Sequence, residues 1–502
     1  MSEKKKEILQ MGLIIFALLF ITFVICMQSP LNPFSQNIET GADSSVFKYI
    51  GWRMHNKEVP YRDIFDHKGP IIYFINYLGV FISYDKGVWF IEYLFMFASL
   101  ALTYKIFRKF CGKISSLIAT LLTFIPLYSY FEEGNLTEEY ALPFIILGLY
   151  VFIDFFKNTK KYIDSNNKKR FINFNIVLCG ISFACTFLLR QNMIALWIVF
   201  CIATIIFCIK NKLYKELFKY IVSFLIGVLI IAIPVIIYLV VNVAFVDFIK
   251  DYFLFNFAYS SSSQNTRIAT IFMFLINNYN ILLFIIIIIK IIYNIIKKES
   301  VFFEISYLFY MIINLIFVCI SGKIYYHYGM TLIPAYIYPL CILFNMLEST
   351  KLKQKKPYII GCILLIFIIP TWLKYLEDAF LEITKTQEVN ELRDYANDDL
   401  IKYIKANTYE NEEIAIYGNY NLLYNHTKTI SASKYSYIPD ILLKNEEFIK
   451  DYLLELEEKL QKLLILSKPK VIKNDKMQEF LDENNYDLCS QYDIVDVYCL
   501  SK

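Results

Sequence analysis

The sequence has 502 residues, of which 57% are hydrophobic and 18% aromatic, far more apolar surface than a water-soluble domain of this length buries in its core. The apolar residues fall into runs of about 18 to 23, the length that crosses a hydrocarbon layer of about 30 Å. We therefore expect a polytopic α-helical membrane protein in a lipid bilayer, and its small net charge of +4 gives no reason to expect a nucleic-acid partner.

About eleven of these runs are predicted membrane-spanning helices. They lie near residues 10–28, 87–107, 114–130, 139–156, 171–189, 192–209, 220–242, 270–296, 301–320, 329–347 and 357–375. The eighth run contains Asn277, Asn278 and Asn280, so it is either one kinked span or a re-entrant piece followed by a span. Counts of ten and twelve therefore stay open.

Basic residues mark every second break between the predicted spans and so predict the orientation of the chain. They cluster at residues 4–6, 105–113, 157–170, 210–219, 290–298 and 351–356. Since basic residues near span ends are retained in the cytoplasm, we expect a cytoplasmic N-terminus in a multi-pass protein of the cell membrane. The first run is expected to be a retained anchor, because no small-residue cleavage site follows it.

A change of composition near residue 375 predicts two domains. Residues 1–375 hold the spans, and residues 28–84 within them form a large first extracytoplasmic loop. Residues 376–502 are expected to form an extracytoplasmic α/β domain. Its predicted helices lie near 388–406, 445–459 and 476–484, and its strands near 413–417, 463–467 and 492–498. Cys489 and Cys499 flank the last strand, where a cross-strand disulfide and two free thiols are both open.

The first extracytoplasmic loop mixes acidic and aromatic residues, as is typical of a surface at the membrane interface. Its carboxylates include Asp43, Asp63 and Asp66. A half-buried carboxylate loses solvation, so we expect the pKa of Asp43 to rise toward that of a usable general base. The structural alternatives are that Asp43 caps a helix, and that Asp63 and Asp66 serve turns or pair with Arg62 and Lys68.

The second outer loop carries four carboxylates, Glu132, Glu133, Glu138 and Glu139. Their structural role would be a solvated turn before the fourth predicted span. Glu138 and Glu139 also begin that span, a position from which one of them can point back at the first loop.

Three basic residues stand in short outer breaks between apolar runs, namely Arg190, Lys323 and His327. A lone basic residue at the interface is often only an anchor, but the three together would bind a phosphate well. His67 with Asp63 and Asp66 offers ligands for a divalent ion, although the spacing does not require a metal cofactor.

Several short motifs resemble those of the GT-C superfamily of polytopic membrane glycosyltransferases. They are Asp43-Ser-Ser, Tyr61-Arg-Asp, Phe65-Asp-His-Lys-Gly-Pro70, Asn135-Leu-Thr-Glu-Glu-Tyr-Ala-Leu-Pro143 and Ser321-Gly-Lys with His327-Tyr328. The resemblance covers residues 1–375 and looks closest to bacterial relatives of protein O-mannosyltransferases and lipid A aminoarabinose transferases. It implies an enzyme that moves a hexosyl or pentosyl group from a polyprenyl-phosphate sugar donor to an envelope glycan, glycolipid or protein.

The resemblance also implies roles for particular residues. The acidic residue that activates the acceptor would be Asp43, with Asp66 and Glu138 as further catalytic candidates. The donor phosphate would meet Lys68, Arg190, Lys323 and His327, and the loop would be supported by Tyr61, Asp63 and His67. A base on one face of the sugar and positive charge on the other would invert the anomeric carbon. Protein O-mannosyltransferases carry an Asp-Glu pair where this chain has Asp43-Ser44, which disfavours a protein acceptor.

Two other functions fit the sequence less well. A transporter or flippase for lipid-linked saccharides would place ionisable residues at the bilayer midplane, whereas Glu92, Asp154 and Glu304 lie near predicted span ends. A receptor or assembly factor would use the C-terminal domain for binding and the loops only as scaffold. Consumption of a labelled glycolipid distinguishes glycosyl transfer from both.

Overall fold

The computed structural model describes residues 3–34, 42–132, 134–159, 172–261, 266–348, 356–384, 395–467, 475–492 and 495–501. These residues form a bundle of apolar helices and a C-terminal α/β domain, which confirms the fold class predicted from the hydropathy pattern. The basic breaks predicted at 157–170 and 351–356 lie largely outside the described residues.

Each predicted span overlaps helices of the bundle. In chain order, the helices before residue 385 are α1 (Glu3–Cys26), α2 (Ala42–His55), α3 (Pro70–Ile82), α4 (Gly87–Phe107), α5 (Lys113–Phe124), α6 (Leu127–Tyr130), α7 (Thr137–Lys157), α8 (Phe174–Phe187), α9 (Ala195–Lys210), α10 (Tyr214–Val241), α11 (Phe245–Phe248), α12 (Phe255–Ser261), α13 (Arg267–Ile276), α14 (Asn280–Ile296), α15 (Phe302–Val318), α16 (Ile333–Glu348), α17 (Lys356–Ile363) and α18 (Ile369–Thr384). Short 3-10 segments lie at Gln191–Met193 and Tyr326–Leu332, and π-helical segments at Ile249–Leu254 and Leu364–Ile368.

By length and composition, only some of these helices are able to cross a membrane completely. Among the described residues, six helices are long and apolar enough to cross a membrane, or seven if the bent pair α13–α14 is one span. The helices α8, α9 and α15 are apolar but shorter. The count of about eleven spans therefore stays a prediction.

The asparagine-rich part of the eighth predicted span is a sharp bend. The axes of α13 and α14 meet at 77°, which fits both alternatives that the sequence left open, a kinked span and a re-entrant piece followed by a span. The side-chain amide of Asn280 donates hydrogen bonds to the carbonyl oxygens of Phe274 at 2.6 Å and Asn277 at 3.0 Å. Because a break in an apolar helix frees backbone carbonyls, these bonds explain why asparagine stands at the bend.

The first outer loop folds as two helices, α2 and α3, rather than as an irregular connection. Pro70 begins α3 at a position where its missing N–H costs no helical hydrogen bond. The two helices pack closely at Gly51, where a Cβ would lie 2.6 Å from the carbonyl carbon of Asn76. The segment between the helices carries Asp63, Asp66 and Lys68.

The C-terminal domain is a five-stranded sheet flanked by helices. Its strands are β1 (Glu413–Tyr417), β2 (Ile430–Ser431), β3 (Leu463–Ser467), β4 (Tyr486–Gln491) and β5 (Val495–Leu500), and its helices are α19 (Tyr395–Asn407), α20 (Leu422–Thr427), α21 (Asp440–Leu443), α22 (Glu446–Glu457) and α23 (Asp475–Glu483). The strand order is β2-β1-β3-β5-β4, with β2, β1 and β3 parallel and the last two antiparallel. The predicted strands at 413–417 and 463–467 are confirmed.

The end of the chain differs from the predicted pattern. The strand expected near 492–498 is β5, which begins at Val495, and β4 precedes it. Cys489 on β4 and Cys499 on β5 form a disulfide with a Cα–Cα distance of 5.8 Å, so the structure adopts the bonded alternative.

Candidate active site

The loops predicted to lie outside the membrane meet around one cavity of about 650 Å³. Its charged and titratable lining includes Asp43 from α2, His67 and Lys68 from the segment before α3, Arg190 from the turn between α8 and α9, and His327 from the turn before α16. These residues are far apart in sequence, so the fold brings together five of the positions singled out from the motifs.

Asp43 and Lys68 form an ion pair inside this cavity. The Lys68 Nζ lies 3.3 Å from Asp43 Oδ2, and the Asp43 side chain is 41% exposed whereas that of Lys68 is 9% exposed. Burial opposes ionisation of Asp43, but Lys68, helped by the nearby His327, outweighs it and lowers the pKa of Asp43 to about 2. The expected rise in the pKa of Asp43 is therefore wrong, because the sequence did not show how close Lys68 comes to the Asp43 carboxylate.

Arg190 is held on two sides. Its guanidinium forms an ion pair with the buried Glu138 at the start of α7 and stacks 4.0 Å from the ring centre of Tyr328. Glu138 also accepts a hydrogen bond of 2.7 Å from the hydroxyl of Thr137. The Glu138 carboxylate thus fixes a cation of the cavity wall, while its own side chain is 3% exposed.

His327 is oriented by Glu132 on the same wall. The Nδ1 of His327 bonds to Glu132 Oε2, and Glu132 Oε1 accepts the backbone N–H of Tyr326 at 3.2 Å. Burial opposes ionisation of Glu132, but its bond to His327 lowers the pKa of this carboxyl below the ordinary value. Both side chains line the cavity, so a carboxylate-bound imidazole faces the same space as Asp43.

Asp66 lies behind the cavity wall, with only 2% of its side chain exposed. Its Oδ2 accepts the hydroxyl of Tyr73 at 2.8 Å, and its Oδ1 accepts the hydroxyl of Tyr437 at 2.7 Å and the backbone N–H of His67 at 2.7 Å. Burial raises the pKa of Asp66 despite these donors and the neighbouring Lys68. The arrangement suits a carboxyl that holds the loop.

The remaining predicted residues lie around the cavity without lining it. The Tyr61 hydroxyl donates to the Lys68 carbonyl oxygen at 2.7 Å. Asp63 accepts the Val59 backbone N–H at 2.8 Å and pairs with Arg62. The Lys323 backbone N–H donates to the Ser321 hydroxyl at 3.3 Å. Glu133 lies outside the described residues.

His67 is a neutral member of the wall. Burial and the positive charge of Lys68 lower its pKa well below the ordinary value. Its Nε2 lies 3.4 Å from Lys68 Nζ, and its carbonyl oxygen accepts the side-chain amide of Asn256 at 2.7 Å. In the part of the chain that the structure describes, no three His, Cys, Asp or Glu side chains group as metal ligands would.

The cavity also has an apolar part of its lining. This part is formed by side chains from the ends of α8, α9, α12 and α15, namely Phe187, Ile194, Ile198, Phe257, Phe317 and Ile320. Helix α9 contributes its first turn to this surface, and α15 contributes its end. The lining therefore combines positively charged side chains with apolar ones.

Sequence reasoning missed several residues of the site. Glu132 stood in a recognised acidic loop but was assigned to a solvated turn, and its bond to His327 was not foreseeable from spacing. Asn419, from the C-terminal domain, lines the cavity, and Tyr437 from the same domain contacts Asp66. The chain has 40 tyrosines, so nothing in the sequence distinguishes Tyr437.

Solved structures show the same fold at low sequence identity. The chain is similar to ArnT from Cupriavidus metallidurans bound to undecaprenyl phosphate, with 11% identity, a TM-score of 0.64 and coverage of 98% of both chains. It is also similar to the oligosaccharyltransferase AglB from Archaeoglobus fulgidus in complex with an inhibitory peptide and a dolichol-phosphate, with 14% identity, a TM-score of 0.53 and coverage of 97% of this chain and 74% of that one. Both neighbours have the GT-C fold, which confirms the fold that the motifs implied.

Sequence comparison identifies the family. No curated protein matches this chain. Residues 3–359, which include every cavity-lining residue except Asn419, match the family described as the putative competence-induced protein Ccs4 N-terminal domain. The chain therefore belongs to the Ccs4 N-terminal domain family.

Proposed function

We propose that this protein is a glycosyltransferase that moves a sugar from a polyprenyl-phosphate-linked donor to an acceptor on the outer face of the membrane. The observation that carries the proposal is the mixed lining of the cavity, in which the cations Lys68 and Arg190 share one space with apolar side chains such as Phe317 and Ile320. This combination suits a phosphate attached to an isoprenoid chain. The two structural neighbours were solved with undecaprenyl phosphate and dolichol-phosphate, which supports the same class of donor.

In the proposed reaction, Asp43 removes the proton from the acceptor as the acceptor oxygen attacks the anomeric carbon. The bond from that carbon to the phosphate oxygen breaks, and Lys68 and Arg190 stabilise the charge that develops on the leaving phosphate. Attack from the side opposite the phosphate inverts the anomeric configuration. The proposed donor carries a hexosyl or pentosyl group. The proposed acceptor is a glycolipid, an envelope polysaccharide or a protein.

The low pKa of Asp43 beside Lys68 fits the order of steps in the proposed reaction. Lys68 contacts Asp43 directly, and a donor phosphate would compete with Asp43 for the same ammonium group. When the phosphate takes over Lys68, the lysine stabilises ionised Asp43 less, and the pKa of Asp43 rises. Donor binding would thus strengthen the base just when the acceptor must be activated.

Lys68→Ala should raise the donor KM about ten-fold to a hundred-fold, because one charge-assisted contact to phosphate contributes about 1.5 to 3 kcal/mol. The measurement is donor turnover by purified protein in lipid nanodiscs. Lys86→Ala is the matched control, since Lys86 is an exposed lysine just after the same loop and outside the cavity lining. Equal donor KM values for the two variants would remove Lys68 from the donor site.

The proposal places the N-terminus in the cytoplasm and the cavity outside it. In support, α7 and α9 begin beside the cavity and end at the basic residues Lys157 and Lys210, as expected for cytoplasmic helix ends. A membrane-impermeant maleimide should label Asp85→Cys in intact cells and Lys210→Cys only after permeabilisation. Labelling in the opposite order would invert the topology and move the cavity to the cytoplasmic face.

The competing function is that of a flippase for lipid-linked saccharides. The turnover assay distinguishes a flippase from a transferase. A flippase would move the donor between leaflets and leave the sugar–phosphate bond intact. A transferase releases free polyprenyl phosphate.

A further inference from the structure

The C-terminal domain packs directly on the first outer loop. The backbone N–H of Phe65 donates to the carbonyl oxygen of Lys434 at 2.9 Å. At the start of α2, the Ser45 hydroxyl donates to Asn421 Oδ1 at 3.0 Å, and the Ser45 carbonyl oxygen accepts the Asn425 amide at 2.8 Å. The domain is therefore joined to both the helix and the segment that carry cavity residues.

Tyr437 of this domain contacts the segment that carries the cavity residues His67 and Lys68. Its hydroxyl donates to Asp66 Oδ1 at 2.7 Å, and the hydroxyl oxygen lies 3.2 Å from His67 Nδ1. Its ring packs against Phe65 with a centroid distance of 6.1 Å. Tyr437 and Asp66 are both buried, so water cannot easily replace this hydrogen bond.

From Asp66 the network continues to the backbone of Lys68. The Tyr73 hydroxyl lies 2.8 Å from Asp66 Oδ2 and 3.2 Å from the Lys68 carbonyl oxygen. The Tyr61 hydroxyl donates to the same carbonyl oxygen at 2.7 Å. Three tyrosines from three segments thus fix the stretch from Asp66 to Lys68, and one of them comes from the C-terminal domain.

The domain also reaches the cavity itself. Asn419, just after β1, lines the cavity. Its side-chain Oδ1 is buried and has no hydrogen-bond partner among the described residues. A buried amide oxygen without a partner is costly, and a hydroxyl of a bound sugar or acceptor would supply the missing donor.

We infer that the C-terminal domain is part of the active site, and that Tyr437 is a positioning residue that holds Asp66, His67 and Lys68 in place for the donor phosphate. The inference rests on the proposed function and adds a role for residues beyond the matched family region, which ends at residue 359. Tyr437 acts through Asp66 and does not touch the donor.

The hydroxyl of Tyr437 should also influence when Asp66 takes up a proton. Removing a donor from a buried carboxylate raises its pKa further, and a protonated Asp66 holds the His67 backbone less firmly. The titratable and charged groups around Asp66 are Tyr61, His67 and Lys68 on its own segment, Asp43 on α2, Tyr73 on α3, Asp251 before α12 and Tyr437. Of these, only Tyr437 belongs to the C-terminal domain.

Tyr437→Phe tests the inference because it keeps the ring and removes only the hydroxyl. We expect the donor KM to rise about ten-fold, the usual consequence of losing one hydrogen bond to a charged group, with a much smaller change in kcat. The acid limb of the profile of kcat/KM against pH should move to higher pH. A purely structural role would lower the amount of active protein and leave KM and the pH profile unchanged.

Tyr435→Phe is the matched control, since the Tyr435 ring also packs on Phe65, at 5.1 Å, but Asp66 accepts no hydrogen bond from it. If Tyr437→Phe and Tyr435→Phe have the same KM and the same pH profile, the inference is wrong.

Binding of undecaprenyl phosphate, measured without turnover, separates this inference from the proposed function. The wild-type protein and Tyr435→Phe should bind it equally, and Tyr437→Phe about ten-fold more weakly. If the wild type binds but the Tyr437→Phe protein binds equally well, only the role of Tyr437 is refuted. If the wild type neither binds undecaprenyl phosphate nor transfers sugar, the proposed function fails and the inference fails with it.

Discussion

Asp43→Asn should lower the rate of sugar transfer by at least about a hundred-fold, the usual contribution of a general base. The amide has nearly the shape of the carboxylate but cannot take a proton from the acceptor. Asp43 lies inside the first turn of α2 and does not cap it, so a purely structural role there, where a carboxylate contributes about 0.3 to 1 kcal/mol, predicts nearly normal activity. The variant should reach the membrane, fold and still bind the lipid donor, because Lys68 and Arg190 are unchanged.

Asp85→Asn serves as the control for Asp43→Asn, since Asp85 is an exposed carboxylate just after α3 and outside the cavity lining. Asp66→Asn and Glu138→Gln complete the series. If Asp43→Asn is active and one of these two is inactive while still folded, the base has been placed on the wrong carboxylate. If Asp43→Asn, Asp66→Asn and Glu138→Gln all transfer sugar at the wild-type rate, the acidic loops are scaffold and general-base catalysis by these carboxylates is refuted.

Arg190→Met should lower both stability and donor affinity. Removing the guanidinium leaves Glu138 buried without its partner, which typically costs about 3 to 5 kcal/mol. The loss of a phosphate contact should raise the donor Kd about ten-fold to a hundred-fold. Thermal unfolding in detergent and donor binding measure the two effects separately. The structure thus adds a stability role for Arg190 that its position in a short polar break did not reveal.

The double variant Arg190→Met/Glu138→Gln separates the two roles of Arg190. Neutralising Glu138 removes the unpaired buried charge, so most of the lost stability should return. Donor affinity should stay low, because no cation has been restored to the cavity. A single Arg190→Met variant with wild-type stability and donor affinity would contradict both the ion pair and the donor site.

The sequence predicts the membrane part of this fold well, because hydropathy reports directly on contact with lipid. The runs near 87–107 and 139–156 became α4 and α7 within a few residues, and the bend at residues 277–279 followed from asparagines in an apolar run. Residues 42–82 fold as two packed helices, α2 and α3. Only α3 was evident from the sequence, as an apolar run after Pro70. The close contact at Gly51 depends on tertiary packing, and no periodicity of apolar residues in the sequence indicates it.

The sequence predicts which residues belong to the candidate site better than it predicts how those residues are arranged. Motifs singled out Asp43, Lys68 and His327, a short polar break singled out Arg190, and the fold brings all four to one cavity. The sequence could not show that Lys68 contacts Asp43 at 3.3 Å, which reverses the expected direction of the pKa shift. It also could not show that Tyr437, 371 positions from Asp66, completes the hydrogen bonds behind the wall.

The most direct test of the central claim is donor turnover by the purified full-length protein in nanodiscs, supplied with polyprenyl-phosphate sugars and an extract of envelope glycans and glycolipids. Mass spectrometry should detect free polyprenyl phosphate and a sugar-modified acceptor in equal amounts, both formed at least about a hundred-fold more slowly with Asp43→Asn. Intact donor after prolonged incubation with each sugar class, from protein shown to bind undecaprenyl phosphate, would contradict glycosyl transfer.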